Sequence, residues 1–305
     1  MGVLTSFINE LGTLKRKFMK LAYLITAYSN YVHLDKLIKA LEEKNSIFFI
    51  HIDKKVDMPK NIMENKKIIF VKRVNVSWGG WSHQLAIINL MKEAISYNFD
   101  YYILLSGTDY PIRANSFLYN KLKEGGEYIN IIKGFQTHKP ESRIKYYYYD
   151  CFDRRNKYSL KTKFFLGLEK LQRRIITKHN YPFKEVFHGS TWWALSHSCI
   201  TFTLTFIKNN PKYINFYKTS WCPEESFIPT ILGNSEFLKK CKGNLTYTDW
   251  STNPAPAIIN KEHLKQFKNQ LKFKGSYGSY TPFFARKFHD KSKDLIEQIE
   301  RELRN

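Results

Sequence analysis

The sequence predicts an α/β fold with a mostly parallel central sheet flanked by helices. Three observations predict it. Compact apolar runs alternate with segments of helical period through the first third of the chain. Polar residues suited to chemistry stand directly after these runs, as in His51-Ile52-Asp53 and Gly107-Thr108-Asp109. The 305 residues are 43% hydrophobic, enough for one substantial core.

Residues 21–27 form a compact apolar run and read as a buried strand. Residues 35–43 have helical periodicity. Residues 46–52 read as a second strand and 68–71 as a third. Residues 82–97 read as a helix with Leu85, Ile88, Leu90, Met91 and Ile95 on its apolar positions. Residues 101–105 are a fourth strand, ending at Ser106 and Gly107. Such alternation places helices over a parallel sheet, whose ligands bind beyond the carboxyl ends of the strands. Residues 134–181 are basic and tyrosine-rich, with Tyr146, Tyr147, Tyr148 and Tyr149 in a row and the pairs Arg154-Arg155 and Arg173-Arg174. They read as an insertion or an acceptor-facing segment. Strand character returns at 187–195. Residues 223–232 open with turn chemistry and become helical, and 295–303 form a charged amphipathic helix. With no repeat and no long linker, the expected organisation is a basic extension, 1–18, and a single domain, 19–305.

The formal net charge of +22 implies an anionic partner: nucleic acid, an anionic membrane surface or a phosphorylated substrate. Cys151, Cys199, Cys222 and Cys241 are far apart and lack CxxC spacing, which argues against both a zinc site and a disulfide framework. A reducing, cytoplasmic location is the expectation. No apolar run is long enough to span a bilayer. Lys15, Arg16 and Lys17 follow the apolar residues of the N-terminus, the reverse of a signal peptide. Residues 4–18 read either as a short basic helix lying on a membrane or as a loosely packed extension.

Seven blocks in one order carry a family resemblance: residues 24–28 (LITAY), 51–55 (HIDKK), 77–82 (SWGGWS), 104–112 (LLSGTDYPI), 188–196 (HGSTWWALS), 223–227 (PEESF) and 284–288 (FARKF). Together they resemble the core-2/I-branching enzyme family of β-1,6-N-acetylglucosaminyltransferases and peptide O-xylosyltransferases. The resemblance spans nearly all of residues 20–290. It implies a GT-A-type (Rossmann-like) fold, a UDP-sugar donor and inversion at the anomeric carbon. It also implies work without a DXD metal site. Gly107-Thr108-Asp109 agrees with that, having no DXD. No metal and no cofactor beyond the UDP-sugar co-substrate are expected.

Inverting transfer needs a base for the acceptor hydroxyl and cations for the leaving diphosphate. Glu225 matches the family's catalytic glutamate, and its neighbour Glu224 is assigned to the acceptor. By position alone, a glutamate at a helix start is explained by the helix dipole. Lys287 matches the family's phosphate-binding lysine, with Arg286 beside it. The family's second phosphate-binding arginine has no match between Trp250 and Arg286, and Lys261, Lys265 and Lys268 are the expected substitutes. Thr26, Ala27, Tyr28 and Asp53 fall on nucleoside positions. Ser82 is a donor contact or an N-cap, and Asp109 a donor-sugar contact or a turn residue. Lys139 and Arg143, in a stretch opened by His138, resemble an acceptor-binding segment. Trp192, Trp193, Tyr247 and Trp250 are candidate sugar-stacking surfaces, although such side chains more often fill cores.

The expected activity is therefore transfer of a sugar, N-acetylglucosamine or alternatively xylose, to a hydroxyl of a glycan or lipid-linked glycan. The basic face would hold the enzyme on the inner face of a membrane. Two rival readings are a nucleic-acid-binding protein, for which no RRM, KH or helix-turn-helix signature is present, and a non-catalytic saccharide-binding relative.

Overall fold

A computed structural model describes residues 19–305, apart from 177 and 179. The N-terminal extension, 1–18, lies outside the described residues, and so does the choice between its two readings. The first elements are β1 (Leu21–Ala27), α1 (Tyr31–Leu41), β2 (Ser46–Ile52), β3 (Ile68–Phe70), α2 (Trp81–Ala94), β4 (Tyr101–Ser106) and β5 (Asp109–Pro111). They are followed by α3 (Asn115–Lys123), β6 (Glu127–Lys133), α4 (Ser142–Lys145), α5 (Leu160–Gln172), β7 (Phe187–Ser196), α6 (His197–Asn209), α7 (Pro211–Tyr217) and α8 (Phe227–Gly233). Last come β8 (Cys241–Lys242), β9 (Thr246–Thr248), α9 (Lys261–Asn269), β10 (Phe273–Gly275), β11 (Gly278–Tyr280), β12 (Phe284–Arg286) and α10 (Lys293–Ile299).

The main sheet has seven strands in the order β3-β2-β1-β4-β7-β6-β8. Its first four are parallel, and β7 runs antiparallel to both β4 and β6. This is the α/β class with a mostly parallel central sheet flanked by helices that the sequence predicts. The central strands are apolar at most positions because both faces are covered, with Thr26, His51 and Ser106 toward their carboxyl ends. Tyr23, Ile25, Phe48 and Ile50 pack toward Leu34, Leu37 and Ile38 of α1. Leu24, Phe49 and Leu104 pack toward Ile87, Leu90 and Met91 of α2. Each such side chain, fully buried, contributes about 1.5–3 kcal/mol.

A second sheet, β5-β12-β9, joins residue 109 to the C-terminal part of the chain. Its antiparallel register sets Arg286 opposite Asp109. β10 and β11 form a separate hairpin.

Several boundaries differ from expectation. Helix α1 starts four residues early, at Tyr31, directly after Asn30 in the left-handed conformation. Helix α2 ends at Ala94, and a 3-10 turn over Ile95–Tyr97 closes on left-handed Asn98. Residues 223–232 divide into a 3-10 turn, Pro223–Glu225, and α8. Glu225 thus precedes the helix, one residue before the N-cap Ser226, rather than sitting in its first turn. The basic segment 134–181 carries α4 and α5. No helix among the described residues is long and apolar enough to cross a membrane.

Candidate active site

The carboxyl ends of β1, β2 and β4 lie at one level. The Gly107 N–H donates to Thr26 O at 2.9 Å, and the Asp53 N–H to Ala27 O at 3.0 Å. A Cβ on Gly107 would stand 2.8 Å from the Ala27 Cβ, so only glycine permits this approach. Asp53 is buried. Its Oδ1 accepts from the N–H groups of Lys55 (3.0 Å) and Val76 (3.4 Å), so its side chain closes the turn that follows β2. Arg73 ties the loop after β2 together by donating to the carbonyls of Ile52 (3.1 Å), Asp53 (2.7 Å) and Val56. The Tyr28 ring is exposed just after β1.

Asp109 is fully buried and stands 3.2 Å from the Arg286 Nε. It also accepts from the Ser106 N–H (3.0 Å) and the Ser106 hydroxyl (2.7 Å). The other face of this pair is aromatic: the Arg286 guanidinium carbon lies 4.1 Å from the centre of the Trp192 ring. Lys287 follows, half-buried. Burial raises the Asp109 carboxyl above its usual range against the opposing pull of Arg286. Burial, then Arg286, lowers the Lys287 ammonium. Two desolvated cations thus share one carboxylate, an arrangement that a further anion would relieve. Lys265 and Lys268 do not substitute here: they pair with Glu262 and Glu302, each at 3.0 Å, on the surface around α9.

The Glu225 end is assembled from loops. Cys222 is left-handed and donates its N–H to Gly79 O at 2.8 Å, while Trp221 donates its N–H to Arg143 O at 2.7 Å. Gly79, at φ +72°, packs against the Trp221 ring, which a Cβ would meet at 2.5 Å. The Glu225 Oε2 lies 2.5 Å from Arg143 Nη1 and 3.2 Å from Lys139 Nζ. Lys139 Nζ also donates to Gly189 O, and Arg143 Nη2 to His138 O at 2.8 Å. The Glu225 side chain keeps 24% exposure. Glu224 turns away, with its Oε1 3.3 Å from His83 Nδ1 and its Oε2 buried without a partner.

Strand β7 joins the two ends. Gly189 accepts from Lys139 beside Glu225, and Trp192 carries Arg286. Gly189 and Trp192 precede Trp193, the partner of Leu104 on antiparallel β4, so both ends lie beyond the carboxyl end of β4.

The remaining expected site residues divide. Ser82 is the second residue of α2. Its hydroxyl accepts from the Ser77 N–H (2.8 Å) and its own N–H donates to Asp150 Oδ2 (2.6 Å), so it holds the SWGGWS loop. Trp192 presents its face to Arg286 rather than to a free cleft. Trp193, 4% exposed, fills the core beside β4 and has no face for a sugar. Tyr247 packs edge-on against Phe267 and Phe273. Trp250 is exposed.

Other residues enter the site without a sequence assignment. His188 is buried with Nδ1 2.9 Å from Gly134 O and Nε2 without a partner. Burial, reinforced by Lys139 and Arg143, lowers it to about 4. The Tyr277 ring, at the tip of the β10–β11 hairpin, lies 5.6 Å from Lys139 Nζ. His188 heads one of the seven blocks and was visible as such. Tyr277 carries no local signal, because only the hairpin brings it over the site.

The family model described as Core-2/I-Branching enzyme matches residues 21–274. That range includes Glu225 and stops short of Arg286 and Lys287. Among curated relatives, Xylosyltransferase 2 of Rattus norvegicus is 24% identical over 303 residues, covering 92% of this chain and 33% of that protein. Xylosyltransferase 2 of Homo sapiens gives the same figures, and Xylosyltransferase 1 of Canis lupus familiaris is 24% identical over 291 residues, covering 88% and 29%. The chain spans about a third of the length of the curated relatives it matches. Among solved structures, the crystal structure of S. aureus TarS 1-349 covers 63% of this chain and 49% of that chain, at 13% identity and a TM-score of 0.30. So loose a likeness carries no argument.

Proposed function

The chain belongs to the core-2/I-branching enzyme family, and from that premise we propose that it is an inverting glycosyltransferase moving a sugar from a UDP-sugar to a hydroxyl of a glycan or lipid-linked glycan acceptor. The observation that carries this reading is the division of labour across β7. An oriented carboxylate, Glu225, stands at one end, and two desolvated cations, Arg286 and Lys287, stand at the other.

In the proposed reaction the acceptor oxygen attacks the anomeric carbon while Glu225 takes its proton. The bond from that carbon to the diphosphate oxygen breaks on the opposite face, and its electron pair leaves with UDP. Arg286 and Lys287 stabilise the charge that develops there. A single displacement inverts the anomeric configuration. The two cations supply what a divalent ion supplies elsewhere, so the proposed reaction is metal-independent. Thr26, Ala27, Tyr28 and Asp53, around the strand ends, suit the nucleoside. Lys139 and Arg143, around Glu225, suit the acceptor, whereas Glu224 faces His83 and does not. N-acetylglucosamine and xylose are the two donor sugars in play, and the names of the curated relatives favour xylose.

The test is a panel of UDP-sugars, assayed for thermal stabilisation and for transfer or hydrolysis, with and without EDTA. The proposal expects one UDP-sugar to raise the melting temperature and to be turned over equally in EDTA. Stabilisation without turnover of any sugar would favour the saccharide-binding reading. Stabilisation by oligonucleotides but not by UDP would favour the nucleic-acid reading, and strict dependence on a divalent ion would remove the metal-free mechanism.

A further inference from the structure

Helix α5 is built inside out. The side turned to the protein carries Thr162, Phe165, Glu169 and Gln172, at helical spacing. Three of these are polar, and each has a hydrogen-bond partner within the protein. The Thr162 hydroxyl donates to Asp153 O at 3.0 Å, Gln172 Nε2 donates to Tyr147 O at 2.9 Å, and Glu169 pairs with Arg154. The opposite side carries Leu160, Phe164 and Leu171, at spacings of four and seven, with exposures of 82%, 65% and 54%. Tyr158 before the helix, and Ile175 and Ile176 after it, extend the same exposed apolar surface. A helix that turns its polar side inward and its aliphatic side outward is not explained by its packing against the other described residues.

The charge around the stripe identifies what covers it. Between residues 157 and 176 there are six basic residues (Lys157, Lys161, Lys163, Lys170, Arg173 and Arg174) and one acidic residue, Glu169, which is spent on Arg154. Lys163 and Lys170 run along one border of the stripe, by the 100° advance per residue of an α-helix. Apolar residues in the middle and cations at the border are the pattern of a helix lying in a lipid–water interface. A second copy of this chain would bring like charges together across the same face. Residues 1–18 carry the same sign, with Lys15, Arg16 and Lys17. A nucleic acid would use the cations and leave the leucines and isoleucines uncovered.

We propose that α5 and its flanks form a membrane-docking surface for a bilayer containing anionic lipid, with Leu160, Phe164 and Leu171 inserted among the headgroups and Lys163 and Lys170 held to them by charge. The inner side of α5 supports a functional corollary. Leu166, Lys170 and Arg173 line a groove of about 570 Å³, and Arg143 and Trp221 line its other wall. Arg143 is the partner of Glu225. An acceptor held at the lipid surface would thus meet the groove that leads to the proposed base. The docking surface itself does not depend on the proposed activity.

The experiment is vesicle flotation of the full chain without any sugar present, comparing phosphatidylcholine vesicles with vesicles that also contain phosphatidylglycerol. Melting temperature and UDP-induced stabilisation are read in parallel for every variant. Wild-type protein is expected to float with the anionic vesicles and not with the neutral ones. The double variant Phe164→Ser/Leu171→Ser, altered only at exposed positions, is expected to lose about tenfold or more in partitioning while keeping its melting temperature. Lys163→Glu/Lys170→Glu is expected to lose binding as well. Deletion of residues 1–18 is expected to leave flotation in place. Absence of wild-type binding would overturn the proposal. So would unchanged binding by both variants, or loss of binding only on deletion of residues 1–18. A wild-type dimer that the serine variant converts to monomer, with no vesicle binding, would assign the surface to a second copy. UDP-induced stabilisation that persists in the variants keeps the outcome separate from that of the transferase reading.

Discussion

The two ends of the cleft hold a carboxylate against a cation in opposite ways. Asp109 and Arg286 face each other because two strands place them in register, and water is excluded from the carboxylate altogether. Glu225, Arg143 and Lys139 come from a 3-10 turn, a single helical turn and the loop before it, and Glu225 keeps contact with solvent. A pair set by sheet register is part of the framework, whereas a pair set by loops can exchange partners. A base must release its resting partner to accept a proton, and a diphosphate cradle must not move, so the two constructions suit the two proposed tasks.

The contrast is most exposed to failure at Glu225. Glu225→Gln keeps the shape and removes the proton acceptor, so transfer should fall by about 10²–10⁴-fold. UDP-induced stabilisation, which depends on the other end, should be unchanged. Retained transfer would mean that another carboxylate is the base, with Glu224 first in line. At the framework end, Asp109→Asn leaves Arg286 buried without its counter-charge and should cost about 3–5 kcal/mol in urea unfolding. A loss under 1 kcal/mol would erase the distinction drawn here.

Acid should act on both ends at once, because each holds a buried histidine. His33 Nε2 lies 2.9 Å from Asp109 O, and His188 lies beside Lys139. Burial lowers both to about 4, from an ordinary value of 6.5, and His51 likewise. A histidine lowered in the folded state binds fewer protons there than in the unfolded chain. Stability should therefore be independent of these groups above about pH 6.5 and fall as pH drops toward 4, by up to about 1.4 kcal/mol per pH unit per histidine. Unfolding free energies measured across that window give the slope, and a flat profile would mean that these rings are protonated in the fold. The smallest effect belongs to Arg143→Ala, which leaves Glu225 with Lys139 and with water. Its cost in stability should stay within about 1 kcal/mol, against several for Asp109→Asn.

What could be read from the sequence follows from locality. β1 and β2 are legible at their observed limits because a fully buried parallel strand is an apolar run with abrupt ends. β6 is not, since Glu127, Asn130 and Lys133 interrupt its apolar residues. The helix start before α1 was hidden because Asn30 supplies an unusual backbone angle rather than a side-chain cap. Glu225, Lys287 and Asp53 were accessible through short blocks quoted from the chain. The partnership of Arg143 and Lys139 with Glu225 was not, because it joins residues more than 80 positions apart through the docking of Trp221 and Cys222 onto neighbouring loops. Trp193 shows the opposite error: a residue chosen for its ring turned out to be packed, because position on β7 decides which rings are covered. The outward stripe of α5 was hidden by its basic surroundings, which mask the aliphatic period.

Strand β7 is anchored unevenly. Trp193 to Ser196 pair with β4, and the four-residue step from Gly189 to Trp193 is set against the two-residue step between Ile131 and Ile129 of β6. Residues 190–192 therefore bulge out of the ladder, and Trp192, the platform for Arg286, belongs to the bulge. A bulge re-aims side chains while the pairing on either side keeps its register. In chains built this way the platform can shift to fit a bulkier sugar while β4 and β6 stay in place.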